Sequence, residues 1–227
     1  MATLIGLSRS GDAFLWFIGN KLHLDIAYKN HSGFIACFIL RFMRLESAVF
    51  RLHGTNVTLT CREAYIEPSF DRFLSNRSIR LNCTLNDVSL SRLSGSVGDK
   101  VAAAPFLQAN ARLLIDKVMN ISYDKMFAEI KVHGDTAEFP YCAAYSSYLR
   151  LVASGQVSES GIFSLKLKIF VSPKMAEELP SDVRALLSEE SRDWLSYSLS
   201  IKNESDASSF SLESDKFRLN FETVEQK

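Results

Sequence analysis

Closely paired cysteines are missing from this chain. Cys37, Cys61, Cys83 and Cys142 stand far apart with no CxxC spacing, so a metal site built on neighbouring thiolates has no support. A charge of one sign is missing too. Lys and Arg total 26 against 26 Asp and Glu, a formal net charge of zero, and no global field gathers nucleic acid or an anionic surface. No apolar run reaches the roughly 20 residues that span a bilayer. Residues 14–18 and 34–43 are the greasiest, and Asn20, His23, Asp25, Lys29 and Arg41 interrupt them. Residues 1–11 lack the basic region, apolar core and cleavage site of a signal peptide. There is no G-x-S-x-G, no H-E-x-x-H, no phosphate-binding glycine loop and no repeat of fixed period.

What the chain does have is alternation. With 227 residues and 47% hydrophobic content it has the composition of a folded globular protein. Phe163, Leu165, Leu167, Ile169 and Val171 alternate with Ser164, Lys166 and Lys168. Leu195, Tyr197, Leu199 and Ile201 alternate with Ser196, Ser198 and Ser200, and Phe217, Leu219 and Phe221 with Arg218, Asn220 and Glu222. Successive side chains of a strand point to opposite faces, so each segment predicts a sheet with one greasy and one wet face. Further strands are predicted at 22–28, 34–43, 47–52, 57–65, 79–90, 121–132 and 145–154. The last of these is expected to pair with 163–171 across a turn at 155–161. Turn clusters fall at 30–33, 53–56 and 93–99.

Helical signals are few. Pro105 opens an apolar-periodic stretch to Met119. Pro68 and Ser69 suit the start of a short helix or turn over 67–74, and Ser181 after Pro180 suits the N-cap of one over 181–190. Residues 203–214 are Ser- and Asp-rich and predict a flexible connection. Strands joined by turns, without regular helical crossovers, give a mainly β fold. The sheet is expected to be mostly antiparallel, with two or three short helices.

Catalytic groups do not converge in the sequence. His23, His31, His53 and His133 are dispersed; His133-Gly-Asp135 reads as a turn, with Gly134 supplying backbone freedom. Glu177-Glu178 and Glu189-Glu190 read as solvated faces. An enzyme, a metal and a cofactor are not expected. Asn-x-Ser/Thr triplets at Asn30, Asn56, Asn76, Asn82, Asn120 and Asn203 read as by-products of Ser and Thr alternating along strands, with glycosylation as the alternative. Cys61 and Cys83 read as buried thiols, with a cross-strand disulfide between them as the alternative. Tyr141, Tyr145 and Tyr148, with Phe139 and Pro140, read as core or as an amphipathic rim beside a membrane or ligand.

The order of elements in the last third resembles a known family. It runs from the 154–161 segment into 163–171, then Ser172-Pro-Lys-Met, Glu178-Leu-Pro180, Asp193-Trp194 and Phe217-Arg-Leu-Asn-Phe221. Upstream stand Cys61-Arg-Glu-Ala-Tyr-Ile-Glu-Pro68 and Ile79-Arg-Leu-Asn-Cys83. Together these are similar to bacterial AsmA-like proteins of the cell envelope. The resemblance implies a single β-rich domain over 22–224 built on an elongated, curved sheet with an apolar concave face, a short tail at 225–227, and an apolar segment at 1–21 that is peripheral or a truncated anchor. It also implies a place on the periplasmic side of the inner membrane. The implied function is non-enzymatic: a hydrophobic β-groove that binds or guides phospholipid or another acyl-chain lipid in lipid transport or outer-membrane assembly. Its partners would be a membrane surface and envelope proteins, not nucleic acid. The groove candidates are Leu165, Leu167, Ile169, Leu195, Tyr197, Leu199, Phe217, Leu219 and Phe221. The alternative is an extracellular β-sandwich interaction or adhesion module.

Overall fold

A computed structural model describes residues 2–32, 41–52, 57–69, 78–92, 113–114, 117–158, 163–190, 194–202, 209–214 and 218–222. The chain is mainly β, one curved antiparallel sheet. Its strands are β1 (Leu24–Ala27), β2 (Asn30–His31), β3 (Met43–Leu52), β4 (Val57–Ser69), β5 (Ser78–Arg92), β6 (Ser122–His133), β7 (Thr136–Tyr145), β8 (Leu149–Ser158) and β9 (Phe163–Val171). They continue with β10 (Ser188–Glu189), β11 (Leu195–Lys202), β12 (Ser209–Ser214) and β13 (Arg218–Glu222). Neighbours follow chain order from β3 to β9, and then β11, β12 and β13; β1 and β2 lie beside β3, and β10 beside β11. Among the described residues no pairing joins β13 back to β1, so the sheet is open.

Cross-strand pairing lines the apolar phases up on one face. Ile66, Cys83 and Ala128 form one row, and Ala153, Leu167 and Leu199 another. Directly opposed residues share a face, so a local period of two becomes one greasy surface running across the sheet. Near the middle of β3 to β6 the phase slips in concert. Pairing skips Ser47, Arg62, Asp87 and Asp124, and Ser47 and Asp87 have positive φ. These four residues stand opposite one another and the register is the same on either side of them, so all four strands change phase together, and both Leu45 and Ala48, and both Leu85 and Val88, stay in the core.

Helix α1 (Ala2–Leu22) places Leu15, Ile18 and Leu22 in the core cluster. The second half of this helix packs against the sheet, and Leu22 ends a helix where a strand was predicted. At the other end α2 (Pro173–Glu178) and α3 (Ser181–Arg184) bring Met175, Ala176, Leu179 and Val183 against the same core. Ser172 caps α2, its hydroxyl accepting from the Met175 N–H at 3.3 Å. In α3, Pro180 stands at the cap and Ser181 lies inside the helix. That helix stops at Arg184, and Ser188–Glu189 pair with β11, so the helix predicted over 181–190 is shorter.

Other expectations change for identifiable reasons. Glu67, Pro68 and Ser69 finish β4 opposite Asn82, Leu81 and Arg80, where a helix or turn was predicted; residues 70–77 lie outside the described set. β7 escaped the period-two reading because Pro140 and Tyr141 interrupt its alternation between Phe139 and Cys142, where the register shifts. Gly155 is inside β8, not in a turn. A Cβ there would stand 2.3 Å from the Ser164 carbonyl oxygen, so only glycine permits this strand approach. Residues 209–214, read as connection, form β12 and pair with both β11 and β13. Of the long predicted helix, 113–114 and 117–120 are helical; its remainder, the strand predicted at 34–40 and the turns at 53–56 and 93–99 lie outside the described residues.

Candidate functional site

Among the described residues the greasy face is closed at one end of β8, β9 and β11 and uncovered at the other. Leu149 and Val171 begin and end their strands under α2 and α3 and are fully buried with Leu179 and Val183. One row further on, Ile169 and Tyr197 face each other and remain buried, at 2% and 6% exposure. Leu167 and Leu199, the next pair, are half-buried. Leu165, opposite Ile201 and Gly155, is 37% exposed, as is Val157. The sequence pattern is unchanged along these strands, but among the described residues the cover over it ends midway.

This distributes the predicted groove residues unequally. Ile169 and Tyr197 are core residues, not groove-lining ones, because the helices after β9 lie over that end of the sheet. Leu195, opposite Val171, is half-buried against the core. Leu165, Leu167 and Leu199 remain on the uncovered part. Leu219 and Phe221 fall on β13 opposite Leu212 and Phe210, and Phe217 lies outside the described residues.

The opposite, wet face carries a feature that hydrophobic patterning did not find. An open trough of about 620 Å³ crosses β8, β9, β11 and β12, lined by residues that include Val152, Ser154, Lys166, Lys168, Ser198 and Ser200. By strand alternation these six side chains share the wet face, in two rows: Val152–Lys168–Ser198 and Ser154–Lys166–Ser200. The floor between the rows is the backbone of Ala153, Leu167 and Leu199. Lys168 Nζ lies 3.0 Å from Glu190, whose other carboxylate oxygen accepts from the Ser196 hydroxyl at 2.9 Å. Those two hydrogen bonds hold the Glu190 carboxyl below its ordinary pKa. The available signal was the second phase of the same strands, Lys and Ser alternating with the leucines.

His133 and Asp135 sit exposed at the β6–β7 hairpin, where Gly134 adopts a φ of +57°; this is the turn predicted. Glu190 serves Lys168, while Glu178 on α2 approaches Lys117 at 4.0 Å, so neither carboxylate pair converges on a shared proton site. Among the described residues no cluster of three His, Cys, Asp or Glu offers a metal site. Cys61, Cys83 and Cys142 are free. Cys61 pairs with Ala48 and Val88, and Cys83 with Ile66 and Ala128, so the disulfide alternative is excluded by register. Burial pushes the three thiols up, Cys83 to about 12 and Cys61 and Cys142 to about 11. Comparison with protein-family models, curated proteins and solved structures finds no match.

Proposed function

We propose that this is a non-enzymatic lipid-binding protein of the bacterial envelope, the role implied by its likeness to AsmA-like proteins. Its apolar sheet face takes an acyl chain where the helices stop covering it. The observation that supports this reading is the fall in cover along β8, β9 and β11, from buried Ile169 and Tyr197 to exposed Leu165. An acyl chain laid over Leu165, Leu167, Leu199 and Ile201 would finish the cover that α2 and α3 begin. Each methylene removed from water is worth about 0.8 kcal/mol, so a short stretch of chain is a substantial ligand. The extracellular interaction module would have been favoured by a Cys61–Cys83 bridge, and both thiols are free.

The test is native purification followed by lipid extraction and mass spectrometry, with titration of a fluorescent fatty acid. Stoichiometric acyl lipid and saturable binding weakened at least about tenfold (about 1.4 kcal/mol) by Leu165→Asp are expected. A lipid-free protein that does not bind the probe overturns the reading.

A further inference from the structure

An open sheet has two edges, and those of this chain differ. An edge strand presents a row of unpaired N–H and C=O groups, which proteins blunt with short strands, bulges, proline, lysine or a covering element. At one edge β1 is four residues long. Helix α1 lies so close against it that a Cβ on Gly19 would stand 2.6 Å from the Leu24 carbonyl oxygen. At the other edge β13 pairs with β12 through five consecutive positions, from Arg218 opposite Glu213 to Glu222 opposite Ser209, with no break in register. Residues 218–222 hold no Pro and no Lys, and the two charges they carry are of opposite sign. Among the described residues no strand pairs with the outer side of β13.

The β13 sequence, Arg-Leu-Asn-Phe-Glu, is complementary to itself read backwards. Directly opposed residues of an antiparallel pair share a face, so a second copy pairing with this edge must place a residue on the two-fold axis. Centring the pair on Asn220 matches all five positions. Arg218 then opposes Glu222 of the second copy, Glu222 opposes Arg218 of the second copy, and Leu219 and Phe221 oppose each other on both sides of the axis. Within one chain Glu222 stands opposite Ser209, and the second copy brings a cation to it. Arg218 comes to lie between two carboxylate positions, Glu213 on its own β12 and Glu222 across the axis. A parallel pair in register would instead set Arg218 against Arg218, and would turn one copy's greasy face to the other's wet side.

We infer that the β13 edge joins a second copy of this chain, antiparallel about a two-fold axis at Asn220, so that one sheet continues into the next. The contact is isologous and closes on itself, because each copy uses its β13 edge in the pair. Main-chain hydrogen bonds supply the attraction, as in other strand additions, and the two Arg–Glu oppositions select a second copy over an unrelated strand. Leu165, Ile201, Leu212 and Leu219 occupy one register row from β9 to β13. Pairing at this edge therefore brings the uncovered ends of two greasy faces together into one surface. That joined surface as a longer acyl-chain site rests on the lipid-binding reading; the pairing of the edges does not. Five paired residues make a small interface, so association is expected in the micromolar range.

The test is sedimentation velocity of the full chain from about 1 to 100 μM, where a monomer passing to a dimer is expected. Asn220→Cys, on the axis, should cross-link to itself on oxidation, because directly opposed Cα atoms lie about 4.5–5.5 Å apart, within disulfide reach. Ser211→Cys, on β12 inside the sheet, should not. Arg218→Glu and Glu222→Arg each set two like-charge pairs across the axis, and each should weaken dimerisation about tenfold. Mixed in equal amounts, the two variants should associate as the parent does, since every opposed pair is again of opposite charge. A monomer throughout, cross-linking by Ser211→Cys as efficient as by Asn220→Cys, or a mixture that associates no better than either variant alone would each overturn the inference. A lipid-free dimer that binds no fatty acid would remove the acyl-chain reading and leave this one standing; a monomer that binds fatty acid would do the reverse.

Discussion

The β3–β6 region and the β8–β11 region are written in the same period-two script, yet one is sealed and the other is not. Leu81, Val88 and Tyr123 are buried to 1% exposure or less, and the Tyr123 hydroxyl reaches the Val118 carbonyl at 2.8 Å. Leu165 and Val157, on the same greasy face, stand in the open. Strand alternation decides which way a side chain points; it says nothing about what arrives to cover it. Cover comes from elements elsewhere in the chain: α1 through Leu15, Ile18 and Leu22, residues 117–120 through Val118, and α2 with α3 through Met175 and Val183.

Truncating one leucine in each region gives the largest contrast. Leu81→Ala removes buried methylenes and leaves a cavity, which should cost about 3 kcal/mol; Leu165→Ala should cost less than about 1 kcal/mol because its side chain already meets water. Urea unfolding of both variants checks this, and equal losses would mean that the open end is closed in solution. Gly155→Ala comes next. Its methyl would collide with the β9 backbone at Ser164, and the overpacking should cost about 2 kcal/mol while leaving β3 to β6 protected in hydrogen exchange. Ser172→Ala removes the α2 cap and should cost about 1 kcal/mol, with exchange quickening at Leu149 and Val171 beneath the helices.

These contrasts also mark how far the sequence could be read. The strands with unbroken alternation, β9 and β11, were legible almost to the residue. β7 was hidden because Pro140 and Tyr141 break its phase between Phe139 and Cys142, and β12 because a Ser-rich segment looks like linker until its partners β11 and β13 are known. Of the candidate site the alternation told the face and not the cover: Leu165, Leu167 and Leu199 share that face with Ile169 and Tyr197, which are buried in the core that α2 and α3 complete, contacts that no local pattern encodes. The cation–ring contacts of the wet face depend on pairings such as Arg150 with Trp194, 44 positions apart (194 − 150). Residues so far apart in the chain meet only once the register is fixed.

Acid should expose the ion pairs of the wet face, with the smallest effect of the set. Arg80 and Lys131 hold the Glu129 carboxyl below its ordinary value, and Arg44 and Tyr65 do the same for Glu63. A carboxylate whose folded pKa is depressed contributes stability that is complete above the unfolded value and is lost as pH falls through the folded one. The loss therefore begins near pH 4.5, the ordinary value, and deepens below it. Both groups are solvent-facing, so screening keeps the contribution small and added salt reduces it further. Melting temperatures measured from pH 6 downward at low salt should fall less steeply for Glu129→Gln than for the parent. Lys125→Gln, whose partner is the Phe127 ring, should leave that slope unchanged, since a cation over a ring has no carboxylate to lose. If the two variants flatten the slope equally, the distinction on the wet face between cations held by carboxylates and cations held by rings is wrong.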